Sequence, residues 1–213
     1  MDRDADGLRL EGIKISLGPE CLVRIDTLIR PGEALTVMGP SGSGKSTLLA
    51  AITGTLAPAF TMTGRVRLDG VDITHLPTEA RRIGVLFQDV LLFPHLSVGA
   101  NLAFGLRPHV KGRAARRARI EEALDDIGLR GFVDRDPGTL SGGQKARVAM
   151  MRMLLSEPRA LLLDEAFSKL DTTLRAQIRD LVFKTARNRG LPILQVTHDS
   201  ADADAAGGTQ HSL

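Results

Sequence analysis

The stretch "GPSGSGKST", Gly39 to Thr47, constrains this chain more than any other. It matches G-x-x-x-x-G-K-[ST] in full from Gly39 to Ser46. The short apolar run "ALTVM" (34–38) precedes it and the helix-like "TLLAAI" follows. Gly39, Pro40, Ser41, Gly42, Ser43 and Gly44 therefore form a loop between a strand and a helix. Its glycines let the backbone wrap a phosphate, and the helix start offers unpaired N–H groups. Lys45 supplies charge to the β- and γ-phosphates, Ser46 a hydroxyl for Mg2+, and Thr47 closes the motif. A strand–loop–helix of this composition is a nucleotide site.

The loop belongs to a larger pattern. "ALTVM", "IGVLF" (83–87), "ALLLD" (160–164) and "ILQVT" (193–197) are continuous apolar runs, the mark of strands buried on both faces. Helical segments separate them, so a mainly parallel α/β sheet is expected. Alternating apolar positions over 8–17 and 21–29, and the "RVRLDGVDI" hairpin signal around Asp69-Gly70, predict a smaller antiparallel sheet. From Gln88 to Glu157 the pattern turns helical. Ile120, Ala123, Leu124 and Ile127 share a face and Gly128 is placed as a C-cap. The expected organisation is one domain over 1–213, with a helical insertion at about 89–157. The tail 200–213, rich in Ala, Gly and Asp, is expected to be disordered or truncated.

In a parallel sheet, ligands bind beyond the carboxyl ends of the strands. Those ends carry the phosphate loop, Gln88, Asp164-Glu165 and His198. Asp164 suits Mg2+, a hard cation that wants oxygen ligands. Glu165 can orient or deprotonate a water, worth roughly 10²–10⁴ in rate. The Gln88 amide can touch both Mg2+ and that water, and the His198 imidazole can reach a γ-phosphate. His75, His95, His109 and His211 lack such placement and read as surface or packing residues. Met150, Met151 and Met153 read as helix packing.

"LSGGQ", Leu140 to Gln144, has capping-box spacing between Ser141 and Gln144, ahead of a helix that stops near Pro158. A cap does not explain Gly142 and Gly143 in the first turn, where each glycine costs about 1 kcal/mol against alanine. Small residues there make sense if something must approach the backbone closely.

Composition excludes several classes. The 213 residues are 43% hydrophobic and 25% charged with a net charge of +3, too little to point to nucleic acid. Aromatics are 3% and all Phe, so stacking platforms for single strands are scarce. The single cysteine, Cys21, excludes an internal disulfide and reads as a small apolar strand residue. No apolar run reaches the roughly 18 residues that would span a bilayer. The start "MDRDADG" lacks the features of a signal peptide, so a cytoplasmic chain is expected. The basic stretch 107–119 reads as a solvated helix face, or as a contact for an acidic partner or lipid headgroups.

In this order, the phosphate loop, a strand-end glutamine, "LSGGQ" ahead of "LLLDE", "SKLD" (168–171) and a strand-end histidine resemble the ATPase subunit of ABC transporters, over about Leu8 to Asp199. The resemblance implies a P-loop NTPase core that binds ATP and Mg2+ and hydrolyses ATP. It also implies a head-to-tail pair of chains. Ser141, Gly142, Gly143 and Gln144 would serve the partner's γ-phosphate, and Asp171 would cross the interface. "LFQDVLLFPHLSVGANLAFGL" (86–106) is similar to the segment that docks permease subunits in bacterial importers, and a substrate-binding protein would act through the permease. Such a subunit lies peripherally on the inner face of the cell membrane. An exporter or a lipid or lipoprotein extraction system is the alternative, and a non-transport ATPase a weaker one. Two departures stand out. Tyr and Trp are missing near Ser16-Leu17, which implies aliphatic contact with the base, and Ala166 stands where the family commonly has proline.

Overall fold

The apolar runs set the architecture. In a computed structural model, which describes residues 7–170 and 172–213, each of the expected core strands forms at its predicted bounds. In chain order the elements are β1 (Leu8–Leu17), β2 (Glu20–Ile29), β3 (Ala34–Met38), α1 (Lys45–Thr53), β4 (Phe60–Leu68), β5 (Val71–Asp72) and β6 (Ile83–Phe87). There follow α2 (Val98–Ala103), α3 (Arg113–Asp126), α4 (Gly142–Leu154), β7 (Ala160–Asp164), α5 (Thr172–Asn188), β8 (Ile193–Thr197), α6 (Ser200–Ala206) and β9 (Thr209–Ser212). Residues 1–6, where the chain start was read, and Asp171 lie outside the described residues.

Two sheets result, ordered β2-β1-β4-β5 and β6-β7-β8-β3-β9. The first is antiparallel. In the second, β7–β8, β8–β3 and β3–β9 pair parallel. Continuous burial of β3 and β8 matches their unbroken apolar sequence. Inward positions of the antiparallel sheet, such as Leu10, Ile15 and Val66, share one core with Leu48 and Ile52 of α1 and with Leu162 and Leu194.

The chain divides into two compact units. The first holds residues up to Val85, with Arg159–Glu165 and Phe183–Leu213, and contains the antiparallel sheet and most of the parallel one. The second, Leu86–Pro158 with Ala166–Val182, is helical and takes in the segment expected as an insertion. Within it Ile120, Ala123 and Leu124 are buried on one face of α3, and Gly128 takes the left-handed backbone (φ 70°) that ends the helix. The basic stretch before that face is partly engaged by its own chain. Arg117 pairs with Glu121 and Asp134, and Arg119 with Glu122. Arg116 donates to the carbonyls of Val110 and Ala103.

One expectation is corrected. The tail is not disordered: Asp199 caps α6, and β9 adds to β3, with the Leu213 N–H donating to the Met38 carbonyl. Backbone pairing with a buried neighbour, not apolar periodicity, orders this segment. Cys21 lies in β2, the strand position expected of it, and is exposed.

Candidate functional site

In the first unit the loop Gly39–Gly44 leads into α1 with Gly42 and Gly44 in left-handed conformations (φ 83° and 93°). Close approach explains the glycines. A Cβ on Gly39 would lie 2.6 Å from Ser43 Oγ, and one on Gly44 would lie 2.7 Å from Val23 Cγ2. No side chain caps the head of α1 among the described residues. Lys45, although charged, is only 6% exposed. Its Nζ donates to the carbonyls of Gly39 (2.7 Å) and Pro40 (2.8 Å), which stretches the ammonium across the loop mouth. Ser43 Oγ is buried without a hydrogen-bond partner among the described residues. Open N–H groups, an orphaned hydroxyl and a buried cation fit a phosphate chain. Ser46 is exposed at the first turn of α1.

At the end of β7, Asp164 is half-buried and its carboxyl is held above the usual carboxylate range. Burial is the main cause and the neighbouring Glu165 charge the second, while Lys45 works the other way. Among the described residues, no group of three or more His, Cys, Asp or Glu side chains could cage a metal. Mg2+ does not need one: it keeps waters and phosphate oxygens beside one or two carboxylates. Asp164 and the Ser46 hydroxyl are therefore a donor set that fits Mg2+ bound together with phosphates.

Glu165 turns off the strand in a left-handed conformation (φ 45°) while its N–H still donates to the Val196 carbonyl. Its Oε1 lies 3.1 Å from His198 Nδ1. The backbone on either side of His198 is tied down, since the Asp199 N–H donates to Thr197 Oγ1 and Asp199 Oδ1 caps α6. Thus Lys45, Asp164, Glu165 and His198 belong to the first unit, with electrostatic coupling of Lys45 to Asp164 and direct contact of Glu165 with His198. The carboxylate–imidazole pair can hold and move a proton.

Gln88 and Ser141–Gln144 belong to the second unit. Gln88 follows β6 and is half-buried. At the head of α4, Ser141 Oγ accepts from the Gln144 N–H (3.3 Å) and Gln144 Oε1 accepts from the Ser141 N–H (3.0 Å), a complete capping box. A Cβ on Gly142 would meet nothing within 4 Å, whereas one on Gly143 would meet Leu174 Cδ1 at 2.4 Å. Gly143 is thus explained by packing and Gly142 is not. A cavity of about 370 Å³ adjoins Ser141, Gly142 and Gly143.

An exposed apolar patch also lies in this unit. Phe87 (56% exposed), Leu91 (67%) and Phe104 (67%) face solvent. The ring of Phe93 stacks near Phe104, with centroids 4.8 Å apart. Arg152 braces the patch from beneath, with its guanidinium over Phe93 and a donor to the Leu91 carbonyl. The sequence marked the segment but not its brace.

The family described as ABC transporter matches residues 22–168. The chain belongs to the ABC transporter family. It is 49% identical over 184 residues to the uncharacterized ABC transporter ATP-binding protein YnjD of Escherichia coli (strain K12), covering 86% of this chain and 84% of that protein. It is 45% identical over 196 residues to the thiamine import ATP-binding protein ThiQ of Cereibacter sphaeroides, covering 92% and 83%. It is 42% identical over 197 residues to the spermidine/putrescine import ATP-binding protein PotA of Escherichia coli (strain K12), covering 92% of this chain and 51% of PotA. Like other ABC ATP-binding proteins, it binds ATP and is an ATPase that powers transport. No described helix of this ABC subunit is long and apolar enough to cross a membrane.

Proposed function

We propose that this chain is the ATP-hydrolysing subunit of a membrane importer and that it works as a head-to-tail pair of copies. The observation that carries the reading is Gly142. It sits at a helix head already closed by its own side chains, beside open space that no packing of this chain requires. Such a glycine makes sense if a nucleotide held by the phosphate loop of another copy is pressed against it.

In each of the two composite sites, one copy contributes Gly39–Thr47, with Lys45 neutralising the β- and γ-phosphates. Its Asp164 and Ser46, with the Gln88 amide, would hold Mg2+, whose charge would offset that of the phosphate oxygens. Glu165 orients the attacking water and takes its proton, and His198 holds that carboxylate and reaches the γ-phosphate. The other copy contributes Ser141, Gly142, Gly143 and Gln144, together with Asp171.

Import is supported by the names of the thiamine and spermidine/putrescine relatives. Phe87, Leu91, Phe93 and Phe104 are exposed and apolar, and Arg152 braces Leu91 and Phe93, the character of a surface that docks a partner. We assign it to transmembrane permease subunits, with Gln88 beside it to register nucleotide state, and with any substrate-binding protein acting through the permease. That docking would place the chain on the cytoplasmic face of the membrane.

The test is Glu165→Gln. The variant should bind MgATP, double its mass on size exclusion with ATP, and lose turnover by roughly 10²–10⁴, the worth of a positioned base. A monomer with ATP together with undiminished hydrolysis would sink the paired mechanism.

A further inference from the structure

Lys169 lies in the loop between β7 and α5, and its ammonium pairs with the carboxylate of Asp89, eighty residues earlier. Asp89 follows Gln88 directly in the chain. Both side chains are largely exposed, 53% for Lys169 and 62% for Asp89. The same lysine also lines the cavity beside Ser141, Gly142 and Gly143, where it is the one cationic side chain among the described lining residues. One ammonium therefore stands between a carboxylate attached to the Gln88 segment and the space at the head of α4.

We propose that Lys169 is an anion-binding residue of that cavity and that Asp89 is its resting partner. A terminal phosphate seated against Ser141–Gly143 draws the ammonium away from Asp89, and the Gln88 segment loses that tether. This rests on the reading above, in which Ser141–Gly143 grip the nucleotide of a second copy. The exchange is favoured for three physical reasons. An ion pair between exposed groups is weak and easily given up. A terminal phosphate carries more charge and more acceptor oxygens than one carboxylate. Lysine is a point charge on a flexible four-carbon stem, able to move between two acceptors without rebuilding the loop. Arrival of nucleotide at α4 is then reported to Gln88 by loss of a single contact.

The experiment uses the full chain with Glu165→Gln, titrating MgATP and reading dimer formation by light scattering. Adding Lys169→Met should raise the half-maximal MgATP concentration about tenfold, the size of one charge-assisted hydrogen bond, and Lys169→Arg should recover most of it. Asp89→Asn should shift the midpoint the other way, to less MgATP, because it removes the phosphate's competitor. A pair that merely braced two loops would move both variants in the same direction. That result, or an unchanged midpoint for Lys169→Met, overturns the assignment. Thermal unfolding of each variant checks that the fold is intact. If the Glu165→Gln parent itself stays monomeric, the two-copy reading has failed and this assignment falls with it. A parent that dimerises normally isolates the role of Lys169.

Discussion

At the head of α1 no side chain caps the backbone among the described residues, two glycines take left-handed conformations, and a buried lysine spans the opening. At the head of α4, Ser141 and Gln144 close a capping box and the flanking glycines keep ordinary dihedrals. Both starts are glycine-rich, yet the chemistry left undone differs. The first has open N–H groups, an orphaned Ser43 hydroxyl and a buried charge, so it is complete only around an anion. The second is complete as a helix start, and what it offers is clearance at Gly142. A loop that needs its ligand and a loop that admits one are different devices, and the second suits a nucleotide anchored elsewhere.

The largest expected effect falls on the loop that needs its ligand. Lys45→Ala removes a buried charge and both of its bonds to the loop carbonyls. ATP affinity measured by calorimetry should drop about 10- to 100-fold, as for a lost charge-assisted contact. An unchanged affinity would mean that the loop geometry alone holds the phosphates.

Next comes the pair Gly142→Ala and Gly143→Ala. The first adds a methyl to open space, so its melting temperature should hold or rise, since alanine favours a helix by up to about 1 kcal/mol. Its turnover should nevertheless fall about tenfold or more, the cost of one displaced phosphate contact. The second forces Leu174 aside and should cost stability, by about 1–3 kcal/mol as for an overpacked core. A fully active Gly142→Ala would erase the distinction between the two loops.

The smallest effect concerns the phosphate loop's acidic neighbour. Burial raises the Asp164 carboxyl in the fold, so the folded chain holds that proton more tightly than the unfolded chain. Stability from this source falls as pH rises through the folded-state titration, the reverse of a salt-bridged carboxylate. Asp164→Asn should therefore raise the melting temperature of the nucleotide-free protein at neutral pH by about a degree or two, an exposure-discounted shift. A lower melting temperature would show that the carboxylate is balanced by charge rather than left costly by burial.

Local features were legible in the sequence and distant ones were not. The strands β3, β6, β7 and β8 were readable because each is a short, mainly apolar run, and the α4 cap because its two partners are three residues apart. The segment 200–213 was misread because "SADADAAGGTQHS" has no apolar period; α6 and β9 owe their order to a cap and to backbone pairing with β3. Arg81 was invisible for a related reason. In "TEARR" nothing distinguishes two adjacent arginines, yet Arg81 is buried and donates to the Ala51 and Ile52 carbonyls at the end of α1. The Asp89–Lys169 pair joins residues with no shared periodicity, so only the fold brings them together.

The central claim is that each active site takes its phosphate loop from one chain and its Ser141–Gln144 loop from another. Two proteins, each carrying Glu165→Gln, test it by multi-angle light scattering with MgATP: one also has Lys45→Ala, the other also has Ser141→Arg. Each should remain monomeric alone, because both of its possible sites are broken. Mixed, they retain one complete site between them and should form a one-to-one dimer. A mixture that stays monomeric while Glu165→Gln alone dimerises would contradict the claim and place both loops at the same chain's nucleotide.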